Sequence, residues 1–209
     1  VCHADGAFAD AAENHALTGQ IDFEDLVFTV VGDDLEITFS LEVDGLAAPD
    51  FEVQRVYRHF DGVNQRLDTL DPSPITSENL GLGDYKVTIA DGALDFAGED
   101  ARYLVRLANP MSLRAVVFGD WPDVMAGTGL ASNQACIDCH GKSGEVGRFG
   151  QPNAHYSAPM SVDACVVCHQ PGFRYDSAVA VVHGIHNSHN FPGGEFVSIR
   201  DTVYDITYP

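Results

Sequence analysis

The sequence predicts a mainly β chain joined to a segment of another kind: an antiparallel β-barrel or sandwich domain over residues 17–121, followed by a Cys- and His-rich stretch over 122–209. Three observations predict this. Within 17–121 there is no cysteine and one histidine, His59, and apolar residues recur with period two. Gly, Asp and Pro clusters punctuate the same stretch at short intervals. Beyond it, Cys-x-x-Cys-His is written twice, at Cys136-Ile137-Asp138-Cys139-His140 and at Cys165-Val166-Val167-Cys168-His169.

Taken in order, the β elements begin with a strand over 26–31, closed by the short hairpin connection Gly32-Asp33-Asp34. The next, 35–43, carries the clearest signal. Leu35, Ile37, Phe39, Leu41 and Val43 alternate with Glu36, Thr38, Ser40 and Glu42, as in a strand with one buried and one wet face. Further strands are expected over 51–57, 85–90, 102–108 and 113–118, and Asp91-Gly92 is a tight-turn signal. From Pro122 onward Gly- and Pro-containing stretches surround both cysteine motifs, with too few apolar side chains for an independent core.

The motif has a chemical logic. Two thiols three positions apart reach two vinyl groups on one edge of a porphyrin, and the His that follows ligates the iron. Residues 122–209 are therefore expected to be the start of a multihaem c-type cytochrome domain, irregular and α structure wrapped on haem, which supplies the missing core. A structural zinc site is the alternative, because two Cys-x-x-Cys pairs approach a four-thiolate spacing. Zinc leaves the His after both pairs without a reason. The fifth cysteine bears on the choice. Cys2-His3 has the arrangement that ends a Cys-x-x-Cys-His, so residues 1–16 are expected to be the end of a preceding haem domain and the chain a piece of a longer protein. That makes two complete haem c sites and a third through Cys2 and His3.

Each iron takes a proximal ligand from its motif, His140, His169 and His3, and then needs a distal ligand or an open position. Distal candidates are His15, His155, His183, His186 and His189, with His59 set apart inside the β segment. His183, His186 and His189 recur every three residues, too many for one iron, so they are expected to serve different haems. Met125 and Met160 compete, but the surplus of histidine makes bis-His ligation the simpler assignment and predicts low reduction potentials. Attachment sites so close in sequence should hold neighbouring porphyrins.

The 31 acidic and 11 basic side chains give a net charge of −20, which argues against nucleic acid or an anionic membrane as partner. No apolar run approaches the roughly 18 residues that span a bilayer. Covalent haem attachment takes place outside the energy-transducing membrane, so the chain is expected to be exported, to the outer cell surface or, as the alternative, the periplasm. Asp33, Asp34 and Asp44 offer carboxylates for calcium, or form a solvated turn.

A Cys-His haem end, a cysteine-free β domain containing Phe51-Glu52-Val53, paired Cys-x-x-Cys-His, His183-Gly184-Ile185-His186 and the closing Asp205-Ile206-Thr207-Tyr208-Pro209 together resemble the middle portion of the outer-membrane decahaem c-type cytochromes, the OmcA/MtrC family. The resemblance implies electron transport at the cell surface, from a porin-cytochrome conduit or other c-type cytochromes to minerals, electrodes, flavins or further cytochromes. It implies that His140 and His169 are proximal ligands, with His183 and His186 distal ligands of different haems. The β domain lacks the cysteine pair of several members, and redox behaviour tied to that pair does not carry over. Two rival functions remain: a multihaem reductase with one open haem, and a cell-surface binding module using an exposed sheet edge. The expectation is an electron-transfer protein and not an enzyme.

Overall fold

The computed structural model describes residues 21–61, 63–95, 99–110, 113–125, 127, 132, 162–169, 178–191, 193–197 and 203–204. Cys2, His3, His15, Cys136, Cys139, His140, His155 and Met160 lie outside the described residues, as do the side chains of Cys168, His186 and His189.

The β segment runs β1 (Ile21–Val31), β2 (Asp34–Val43), β3 (Leu46–Ala47), β4 (Glu52–Phe60), β5 (Val63–Arg66), a 3-10 turn (Leu67–Thr69), β6 (Ile75–Gly81), β7 (Asp84–Ile89), the short helix α1 (Gly92–Asp95), β8 (Ala101–Ala108) and β9 (Arg114–Trp121). One antiparallel sheet has the order β1-β2-β7-β6, with β3 beside β2, and a second has the order β5-β4-β8-β9. Of the two architectures expected, the open one is found: the described strands of this segment form two sheets and no closed barrel, and a separate two-stranded pair joins Phe196–Val197 to Val203–Tyr204.

The alternation of β2 is realised as pleat. Leu35, Ile37, Phe39 and Leu41 are all at most 2% exposed, and they meet Val56, Tyr103, Val105 and Leu107 of the other sheet in one core. Val87 and Ile89 of β7 stand in register with Ile37 and Leu35 and continue the layer. At one side the sheets' edges close on each other. A Cβ on Gly119 would lie 2.5 Å from Leu26 Cδ2 and 3.0 Å from Phe28 Cε2, so β9 approaches β1 where its own residue has no side chain.

Turn chemistry fixes the register elsewhere. Leu82 and Gly83 join β6 to β7 with φ of 55° and 87°, the hand of a two-residue type I′ connection, and a Cβ at Gly83 would meet Leu41 O at 2.7 Å. The Tyr85 hydroxyl donates to the Ala48 carbonyl at 2.6 Å and accepts the Phe51 N–H at 2.9 Å, tying the loop before β4 to the core. Burial raises the Tyr85 pKa above its ordinary value. Asp68 accepts from the Val56 N–H at 3.1 Å and from Arg66. Burial alone would raise its pKa, but the hydrogen bonds from Arg66 and Val56 outweigh it and hold the carboxyl below its ordinary value.

The sequence did not disclose β3, β5 or β6. β6 is exposed along almost its whole length, so Thr76, Ser77, Glu78 and Asn79 carry no apolar alternation. Asp91-Gly92 does turn the chain, though into α1 and not into a hairpin; the Asp91 N–H donates to Asp34 Oδ1 at 2.9 Å. That bond gives Asp34 a structural role in its turn. Among the described residues no three His, Cys, Asp or Glu side chains gather to hold a metal ion.

Candidate haem-attachment site

Two short helices carry the described part of the site: α2 (Val162–Cys168) and α3 (Ala178–His186). α2 contains both cysteines of the second motif. Its last turn is continued by the His169 N–H, which donates to the Cys165 carbonyl at 3.0 Å, so His169 follows in helical register. At 3.6 residues per turn, Cys168 and His169 lie within about 60° of Cys165 around the axis, whereas Val167 lies about 160° away. One face therefore presents the motif and the other is free to pack.

Burial agrees with that division. Val167 is 0% exposed and Val166 6%, while Cys165 is exposed and His169 is half-buried. Val167 and Ala164 pack on Tyr57, Leu104, Val116 and Phe118, the outer face of the β5-β4-β8-β9 sheet. The sheet is thus covered on both sides at this point. β8 shows the consequence, being buried along almost its entire length, Tyr103 and Val105 inward and Arg102 and Leu104 outward.

Charge joins the same two surfaces. Arg102 of β8, 6% exposed, donates from Nε and Nη2 to the two carboxylate oxygens of Asp120 at 2.7 and 2.9 Å. Its Nη1 lies 3.5 Å from Oδ1 of Asp163, in the first turn of α2. The hydrogen bonds to Asp120 raise the Arg102 pKa, burial opposing them. Asp120 also accepts the Met125 N–H at 3.0 Å, holding the chain where it leaves β9. An acidic residue in the first turn of a helix is favourable with respect to the helix dipole as well.

Of the distal candidates, His183 is exposed on α3, His186 ends that helix, and His189 falls in the 3-10 turn Ser188–Asn190. The structure thus strings the three along one short segment, through the Asn187 N–H bonded to the His183 carbonyl at 3.0 Å. His59 stands on the outer face of β4 beside Arg102, with Nδ1 2.8 Å from Asn64 Oδ1. An amide oxygen accepts, so Nδ1 carries the hydrogen.

The second motif fits the group expected of it. Two thiol positions on one helical face, an imidazole one residue on and a buried opposite face are the donor set for two thioethers and one axial bond. Sequence reasoning missed the seat beneath it. The signal was the unbroken apolar run Tyr103-Leu104-Val105, followed by Val116-Val117-Phe118 in the neighbouring strand, which reads as a sheet buried on both faces.

No protein-family model matches the chain, and no curated protein matches it. Among solved structures it is similar to the outer membrane decaheme cytochrome OmcA, at 15% sequence identity and a TM-score of 0.52, over 91% of this chain and 38% of that one. It is also similar to MtrC from Shewanella baltica OS185, at 16% identity and a TM-score of 0.44, over 79% of this chain and 32% of that one. The chain spans less than two fifths of the length of either structure. The resemblance drawn from the order of motifs around a β domain is met in the fold.

Proposed function

We propose that this chain is part of an exported multihaem c-type cytochrome that passes electrons among closely spaced haems, in extracellular electron transfer. The observation that carries the reading is the second motif on α2, with Cys165 exposed and Val167 seated on the β sandwich. The fold shared with a decahaem cytochrome supports it. Cys165 and Cys168 would hold one haem c, Cys136 and Cys139 a second, and Cys2 a third. The proximal ligands would be His169, His140 and His3, with distal ligands drawn from His183, His186, His189, His155 and His15. Bound haem supplies one-electron chemistry, and bis-His ligation leaves no iron position for a substrate. Other c-type cytochromes, a porin-cytochrome conduit, and mineral, electrode or flavin acceptors are the partners this reading names.

Iron count and spin state of the purified chain test it. Two or three low-spin haems per chain, matching the motifs, are expected. One zinc with no porphyrin absorbance overturns the reading. A high-spin haem that binds cyanide replaces it with a multihaem reductase.

A further inference from the structure

A helix of seven residues is too short to hold its shape in water unaided, and α2 makes the chain's second pair of cysteines depend on whatever holds it. What holds it is the β domain. Val167 enters a patch formed by Tyr57, Leu104, Val116 and Phe118, from three adjacent strands, and fixes where the helix lies. An apolar contact as small as that of Val167 and Ala164 leaves rotation about the helix axis less well fixed. The second point of attachment, Asp163, lies four residues earlier on the same side of the helix and meets Arg102. Arg102 is itself immobilised, because both Asp120 oxygens accept from it in a fork geometry that a single-point pair lacks.

We propose that Arg102 is a positioning residue for electron transfer: bridging Asp120 of the sheet to Asp163 of the motif helix, it fixes the direction in which Cys165, Cys168 and His169 face, so that the β domain sets the orientation of one haem. The inference rests on the haem reading above. It gives the sandwich a role beyond that of a spacer, since a haem tethered through two cysteines of one rigid helix follows the rotation of that helix. Arg102 meets the motif helix through Asp163.

The test uses the full chain matured with haem, comparing wild type with Asp163→Asn, Arg102→Met and Arg102→Lys. The measurements are covalent haem per chain, amide hydrogen exchange over residues 162–169 and over the strands, and the low-spin electron paramagnetic resonance signals. In Asp163→Asn, haem content and strand protection should stay at wild type, exchange over 162–169 should rise about two- to fivefold, and one low-spin signal should shift or broaden while the others keep their positions. Arg102→Lys should recover part of the protection that Arg102→Met loses. Unchanged exchange and unchanged spectra in Asp163→Asn overturn the proposal, and so does equal behaviour of Arg102→Lys and Arg102→Met in a folded protein. Should Arg102→Met lose strand protection throughout, the Asp163→Asn result decides. Wild type without haem would defeat the electron-transfer reading, while the exchange comparison still judges the docking.

Discussion

In β2 four successive inward residues, Leu35, Ile37, Phe39 and Leu41, find apolar partners across the sandwich, whereas in α2, among the described side chains, only Val166 and Val167 are buried and Cys165 is exposed. The first region completes its core from its own side chains. The second borrows one surface from the sheet and, in the haem reading proposed above, would present the other to a cofactor. The lesson is about independence: the sandwich should stand without haem, while the motif helix depends on the sheet on one side and, in the proposed reading, would depend on porphyrin on the other. The expectation from sequence was that this segment makes no core of its own, and the docking of Val167 on the sheet adds a support that expectation did not include.

The largest effect that would break this contrast is loss of the cofactor. Replacing Cys136, Cys139, Cys165 and Cys168 together by Ser should abolish haem absorbance from both complete motifs and leave the near-ultraviolet dichroism and cooperative melting of the sandwich in place. A sandwich that melts away with the haem would show that the two regions fold as one.

Next comes the core of the sandwich. Phe39→Ala removes a side chain 2% exposed and stacked on Tyr85 at 5.7 Å between centroids, and should cost about 3–5 kcal/mol in denaturant titration. Val167→Ala removes far less buried area and should lower protection of residues 162–169 with little change in the sandwich midpoint. Equal global losses in the two variants would erase the distinction.

Tyr85→Phe sharpens the account of the sandwich alone. It strands the buried Phe51 N–H and Ala48 carbonyl without the hydroxyl between them, at a cost of about 1–3 kcal/mol by the same titration.

The smallest effect concerns acid. Because the Asp68 pKa is depressed in the folded state, its stabilisation is complete above the ordinary carboxylate pKa and is lost as pH falls through the folded value. Asp68→Asn should therefore show a flatter decline of stability with acidification than wild type, measured as melting temperature against pH. Parallel curves would remove Asp68 from the acid response.

The parts of the fold legible in the sequence were those where a local pattern carries the cause. Period-two alternation showed β2, because a pleated strand with one buried face must alternate, and β7 followed on the same grounds. β6 was invisible because an exposed edge strand needs no alternation, and β5 because four residues are too few to show one. The Cys-x-x-Cys-His motif was legible because the thioether chemistry it is proposed to serve fixes both residue type and spacing. Of the site, the positions Cys165 and His169 were therefore read directly, and the surface on which they rest was not.

By itself the sequence determined the antiparallel β content, the turn between β1 and β2, and the pairing of two thiols with a following imidazole, since each depends on residues within a few positions of one another. Only the tertiary structure decided that the sheets stay two, that Arg58 is buried over the Phe60 ring against Glu99, and that α2 turns Val167 down and Cys165 out. Those outcomes join residues distant in the chain, Arg102 with Asp163 and Tyr57 with Val167. Such contacts form where shape and charge meet after folding, and no local spacing encodes them.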